Sequence, residues 1–211
     1  MTRKKTNAEA RADGNDPAAD TEARSFRIGG HEIAARPLEP GLYLVSTPIG
    51  NLGDMTIRGL ETLAGADIIA CEDTRVSRVL LDRFGITTRP YAYHEHNAER
   101  VGPKLIEALE AGKSVALISD AGTPLISDPG YRLSQTAIET GVPVIPIPGA
   151  SAPMAALVAS GLPSDTFLFA GFLPSKDKAR RDRLGEFKTV AATLMLFESP
   201  NRLAACLKSA S

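Results

Sequence analysis

Five times between Gly41 and Gly161 a short apolar run passes into a polar loop and then into a segment with helical spacing. The apolar runs are G-L-Y-L-V-S at 41–46, D-I-I-A-C at 67–71, T-R-P-Y-A-Y at 88–93, S-V-A-L-I-S at 114–119 and P-V-I-P-I-P at 143–148. Helices are expected over 56–65, 76–84, 98–111, 129–140 and 151–160. Val76, Val79, Leu80 and Phe84 recur at i, i+3, i+4 and i+8, as a helix buried on one side requires. Thr56 is placed to cap the first helix, and Asp128 before Pro129 to cap the fourth. Strand and helix alternating over short connections predict an α/β fold with a mainly parallel five-stranded sheet. Nearly continuous apolar strands fit a sheet covered on both faces. Pro143, Pro146 and Pro148 remove ladder donors, so the fifth strand should sit at an edge or be very short.

The rhythm changes after Gly161. T-F-L-F-A-G-F-L-P at 166–174 and the stretch 189–200 read as strands, and 176–183 and 201–208 as starts of helices. Two strands and two helices make a poor independent core. The expectation is a second α/β domain that is either cut short or leans heavily on the first or on another subunit. The division is therefore a tail at 1–38, a first domain at 39–162 and a partial second domain at 163–211. The tail is rich in Ala and charge without sustained periodicity, which predicts disorder.

Composition narrows the function. A net charge of −1 gives no overall pull toward nucleic acid, so any RNA must be held by a local patch. Cys71 and Cys206 match no metal or redox spacing. No long apolar run opens the chain, so neither a signal peptide nor a membrane span is expected, and a cytoplasmic setting fits.

Ligands of open α/β sheets bind at the carboxyl ends of the strands. The loops expected there are T-P-I-G-N-L at 47–52, E-D-T-R at 72–75, H-E-H-N at 94–97, S-D-A-G-T-P-L-I-S-D-P-G at 119–130 and P-G-A-S-A at 148–152. The first has neither dinucleotide nor phosphate-loop spacing. E-D-T-R reads either as a ligand loop or as a charge cluster capping a helix. H-E-H-N reads as a surface turn, since His94 and His96 would diverge if extended, and no metal site is expected. In the fourth loop Gly122 allows a ligand close to the backbone, Pro124 stiffens the turn, and Asp120 can accept hydrogen bonds. No nucleophile–base pair of a hydrolase is visible.

T-P-I-G-N-L-G-D, C-E-D-T-R, S-D-A-G-T-P-L-I-S-D-P-G, P-G-A-S-A and F-E-S-P-N-R-L, in this order from about Gly41 to Leu207, closely resemble the small-subunit rRNA ribose methyltransferases of the tetrapyrrole methylase superfamily. The resemblance implies a two-domain tetrapyrrole-methylase-like fold that binds S-adenosyl-L-methionine (AdoMet) between the domains and commonly forms homodimers. It implies 2′-O-methylation of a cytidine, nucleotide 1402, in the decoding region of 16S rRNA within the small ribosomal subunit. The cofactor residues carried over are Pro48, Ile49 and Gly50, then Asp120, Ala121, Gly122, Thr123, Pro124 and Leu125. Ala150, Ser151 and Ala152 follow, with Phe197 and Glu198 from the second domain. Such chains continue well beyond the end of this one.

A ribose hydroxyl is a weak nucleophile, so a proton acceptor is needed beside it. Glu72, Asp73 and His94 stand at the expected strand edge, Glu72 and Asp73 being preferred. Arg75 could clamp a phosphate. Lys176, Lys178, Arg180, Arg181 and Arg183, with Lys188, are either a solvated helix face or an arm for phosphates. Two other readings stay open: a methyltransferase acting on a tetrapyrrole, and an inactive AdoMet-binding fragment.

Overall fold

A computed structural model of the chain describes residues 24–127 and 130–210. Strands β1 (Ser25–Ile28) and β2 (His31–Ala34) form an antiparallel hairpin. Next come β3 (Gly41–Val45), a 3₁₀ turn at Leu52–Asp54, α1 (Ile57–Gly65), β4 (Ile68–Cys71), α2 (Thr74–Arg83), β5 (Pro90–Ala92) and α3 (Ala98–Glu110). The first unit ends with β6 (Ser114–Ile118), α4 (Tyr131–Glu139), β7 (Val144–Ile147) and α5 (Ala152–Ser160). Beyond it lie β8 (Phe167–Phe172), α6 (Asp177–Phe187), β9 (Thr193–Phe197) and α7 (Leu203–Ala210). No helix among the described residues is long and apolar enough to cross a membrane.

The central sheet runs β5-β4-β6-β3-β7 with every neighbouring pair parallel. Strand residues alternate between two cores, as a period of two demands. Tyr43, Val45, Ile69, Cys71, Ala116 and Ile118 face the layer of α1, α2 and the hairpin. Leu42, Ala70, Val115 and Leu117 face α3 and α4, meeting Leu105, Leu109, Leu133 and Ala137. The proline-bearing β7 is an edge strand, bonded to β3 alone, as expected.

The order of strands makes the crevice. From β3 the chain goes by way of α1 and α2 to β4 and β5; it returns by way of α3 to β6, between β4 and β3, and crosses to β7. The loops leaving β3 and β6 therefore turn to opposite faces from adjacent strands, which opens a binding crevice at their carboxyl ends. Register sets these ends at one height: Val45 pairs with Ile118 on one side and Ile147 on the other.

The hairpin corrects the expectation of a disordered tail, within the described residues. Phe26 is buried to 1% exposure in the core beside α1, worth about 1.5–3 kcal/mol of burial. The Arg27 amide donates to Phe84 O at 2.7 Å. Composition hid this because the charged residues sit on exposed positions; the overlooked signal is Gly29-Gly30 between two short runs, a hairpin turn. Residues 1–23 lie outside the described residues, as do Asp128 and Pro129, where the helix cap was expected. The helix there begins at Tyr131 behind Gly130 rather than at 129.

In the second unit β8 and β9 pair in parallel, and β9 packs against α5 of the first unit. Phe169 meets the Phe197 ring edge-on and Phe172 meets it at a tilt, with centroids 4.9 and 5.4 Å away. Its polar anchor is Arg180, 5% exposed, which donates to Ser209 Oγ, Ser175 O and Asp177 Oδ1 at 2.9–3.1 Å.

Asp67 ties the hairpin to the sheet. Its carboxylate accepts from Arg24 Nη2 at 2.8 Å and from the Ser114 amide and hydroxyl, each at 2.9 Å. Burial pushes its pKa upward, but the Ser114 and Arg24 hydrogen bonds outweigh burial and leave it below the ordinary aspartate value. The stabilisation is thus fully present above the unfolded pKa and is lost as pH falls through the lower folded value. Melting temperature measured from pH 7 to pH 3 should fall more steeply in the wild type than in Asp67→Asn.

Candidate active site

The loops leaving β3, β6 and β7 are locked together. The Thr47 amide donates to Gly122 O at 2.9 Å, and the Gly122 amide returns a bond to Thr47 O at 3.0 Å. Thr47 Oγ1 donates to Ser119 O at 3.1 Å, and Ser119 Oγ to Gly122 O at 3.1 Å. Ser46 Oγ donates to Thr123 Oγ1 at 3.2 Å, which itself donates to Ala150 O at 3.2 Å. Gly122 adopts φ +88°, a left-handed conformation costly to a side chain. Gly149 lets the β7 loop lie against Ser46, since a Cβ there would come within 2.8 Å of the Ser46 Cβ.

These loops and the second unit enclose a pocket of about 130 Å³. Ile49, Ala121, Gly122 and Thr123 line one side, Ser151 and Ala152 another, and Phe172 and Phe197 the third. Seven of the residues carried over by resemblance thus converge: Ile49, Ala121, Gly122, Thr123, Ser151, Ala152 and Phe197. The pocket shares Ala152, Pro153 and Phe197 with an apolar cavity of about 350 Å³ between α5 and β9. Small residues, exposed backbone, two phenyl rings and no lining charge suit a flat nucleoside next to a cationic sulfur, which aromatic faces attract. On that ground the residues present fit the uncharged part of AdoMet; at about 130 Å³ the pocket takes part of the molecule only.

Other carried-over residues lie elsewhere. Pro48, Gly50 and Asp120 line a neighbouring groove with Val76, Ser77 and Leu80 of α2. Pro124 is buried, Ala150 contributes the carbonyl that holds Thr123, and Leu125 stands at φ +73°. Glu198 does not line the pocket. Its side chain, 7% exposed, accepts from Arg202 Nη2 at 2.9 Å and from the Ser199 amide at 2.8 Å. Burial pushes its pKa up, but these bonds prevail and lower it. The S-P-N-R turn is what Glu198 braces: Arg202 also donates to Leu173 O at 2.8 Å.

The E-D-T-R loop is a helix cap. Asp73 accepts from the Arg75 amide at 2.8 Å, and its carboxylate is chelated by the Arg75 guanidinium at 2.6–3.2 Å. The Arg75 hydrogen bonds lower the Asp73 pKa to about 2. The Asp73 amide donates to Asp120 Oδ1 at 3.1 Å, joining this loop to the one after β6. Glu72 instead faces a polar cleft of about 660 Å³ with Tyr93, Glu95, Ser127, Tyr131 and Arg132. Ser127 lines both this cleft and the small-residue pocket.

The H-E-H-N segment is the expected turn, and it brings the His94 and His96 ring centroids to 6.0 Å. Asn97 closes that turn, accepting from the His94 amide at 2.9 Å and donating to Ala92 O at 3.0 Å. Among the described residues no group of three or more His, Cys, Asp or Glu could hold a metal ion. Arg180 is corrected from phosphate arm to buried strut, because Asp177 and Ser209 use its guanidinium. Arg181 pairs with Asp177 and Arg183 with Glu186, both pairs at the surface. Lys176, Lys178 and Lys188 are exposed and form no ion pair among the described residues.

Sequence reasoning missed Thr47, Ser119, Ser127, Tyr131 and Phe172. The hydroxyl lock was detectable only as small polar residues flanking two strand ends. Phe172 was hidden in a run read as plain strand.

The family profile of Tetrapyrrole (Corrin/Porphyrin) Methylases matches residues 41–210. Among curated proteins, the Ribosomal RNA small subunit methyltransferase I of Mesorhizobium japonicum is 71% identical over 180 residues, 85% of this chain and 61% of that protein. Its namesakes in Halalkalibacterium halodurans and Escherichia coli O157:H7 are 56% and 51% identical, each over 77% of this chain and 56% and 57% of their own length. The chain thus spans roughly three-fifths of the length of these relatives. Among solved structures, a diphthine synthase aligns with a TM-score of 0.59 at 21% identity over 75% of this chain and 65% of its own. The cobalamin biosynthetic enzyme cobalt precorrin-4 methyltransferase aligns with a TM-score of 0.57 at 19% identity, over 80% and 73%. These two likenesses speak for the fold alone. The profile match over most of the chain and the high identity of the curated relatives mean that it belongs to the tetrapyrrole methylase family.

Proposed function

We propose that this chain carries the donor-binding part of an AdoMet-dependent methyltransferase that acts on small-subunit rRNA. The observation that carries this reading is the convergence of Ile49, Ala121, Gly122, Thr123, Ser151, Ala152 and Phe197 on one uncharged pocket at the β3/β6 crevice. The curated relatives named as small-subunit rRNA methyltransferases point to rRNA as substrate. The finer assignment is the 2′-hydroxyl of cytidine 1402 in 16S rRNA, within a homodimer in the cytoplasm.

AdoMet, when bound, supplies an electrophilic methyl carbon on a positive sulfur. The chain has to hold donor and acceptor in line, which can supply most of the rate enhancement. Gly122 and Thr123 present the loop backbone, while Phe172 and Phe197 close the far wall. Glu72 takes the proton of the attacking hydroxyl in the adjoining cleft. Asp73 is unsuited to that role, because its pKa of about 2 and its bidentate arginine make it a weak base. Lys176, Lys178 and Lys188 offer exposed charges to phosphates.

Small-subunit particles from cells lacking the gene, incubated with the complete gene product and labelled AdoMet, should gain one mapped ribose methyl group. Labelling of a porphyrin-like acceptor instead would replace the substrate. AdoMet binding without transfer to either acceptor would support a binding fragment. In the same assay Glu72→Gln should lower kcat by at least about 100-fold. Asp73→Asn, which keeps a capping side chain, should cost less than about tenfold. The reverse ranking would make Asp73 the base.

A further inference from the structure

We infer that Tyr131 is the platform on which the acceptor nucleobase stacks, in the cleft that holds Glu72. This deepens the rRNA reading and rests on it.

Tyr131 is 69% exposed at the first position of α4, directly after Gly130 at φ +124°. Tyr131 lines the polar cleft of about 660 Å³, a volume within the range of about 300–1,000 Å³ typical of sites that enclose a small ligand group. Tyr43 and Tyr93 are buried in the two cores and Tyr91 is 52% exposed on the edge strand β5, so Tyr131 is the most exposed of the four tyrosines. Leaving a tyrosine ring this exposed gives up most of the free energy of its burial.

The cleft adjoins the donor pocket at Ser127, which lines both. Ser127 stands at φ +66° and Leu125 at φ +73°, left-handed conformations rare for side-chain-bearing residues and concentrated at functional sites. A nucleotide seated in the cleft thus lies beside Glu72 and next to the proposed donor pocket.

Charge argues for stacking as the binding force. Among the described residues Glu72, Glu95 and Glu99 line the cleft with one basic residue, Arg132. Arg132 is exposed, and its ion pair with Glu99 is long, at 4.0 Å. Such a lining repels phosphate more than it attracts it, so the affinity at this point has to come from an uncharged contact. Stacking on an aromatic ring supplies that for any splayed-out base. Arg132 is then left to orient the adjoining phosphate.

The test uses the complete gene product, small-subunit particles lacking the modification, and labelled AdoMet. Tyr131→Ala should lower kcat/KM for rRNA roughly 5- to 150-fold, chiefly through KM, while calorimetry shows AdoMet affinity unchanged. Tyr131→Phe, which keeps the ring, should stay within about twofold of wild type. The exposed position makes an effect of either change on stability small. If Tyr131→Ala matches wild type, or Tyr131→Phe is as impaired as Tyr131→Ala, the stacking role is overturned and the rRNA reading stands. If wild-type protein labels no rRNA, that reading falls and the inference falls with it.

Discussion

Thr47 and Gly122 exchange two backbone hydrogen bonds beyond the ends of their strands, and the geometry of the crevice rests on that pair. β3 and β6 are parallel neighbours whose following loops turn toward opposite faces of the sheet. Left to themselves, such loops would splay. The reciprocal bridge, with the Ser46–Thr123–Ala150 relay beside it, holds three loops at a fixed spacing and leaves their small residues facing the second unit. A loop held by its own backbone can offer a ligand a surface without large side chains, and this is what a pocket lined by Ala121, Gly122, Ser151 and Ala152 achieves.

The same economy governs the charges at this edge. Asp73, Asp120 and Arg75 stand within one connected network, and its work is internal: Asp73 caps α2 and Asp120 receives the Asp73 amide. Glu198 and Arg202 brace the turn after β9 in the same way. Conspicuous carboxylates are thus mostly struts. Glu72 lines the polar cleft, where the proposed chemistry uses it.

Much of this was legible in the residues. The five strand–helix repeats, the edge position of the proline-rich strand and the capping role of Thr56 follow from periodicity and donor loss, which are local properties. The loops of the site were legible as polar punctuation at strand ends. What escaped was long-range. The Ser25–Ala34 hairpin depends on Phe26 finding a core formed by distant helices. Arg180 looked like surface charge until α7 was brought against it. Tyr131 and Ser127 became site residues only because α4 starts two residues later than expected, at the mouth of a cleft shared with β4 and β5. Glu198 and Phe197 are sequence neighbours that alternate across a strand end, and only the phenyl ring meets the pocket.

Amide hydrogen exchange with and without AdoMet tests the account most directly, because it reports where the donor sits whatever the acceptor is. Protection should rise at 46–50, 119–123 and 150–153 together, and at the end of β9 near Phe197. Protection confined to the polar cleft of Glu72 and Tyr131, or to one of these loops without the others, would contradict a donor site built by the Thr47–Gly122 lock.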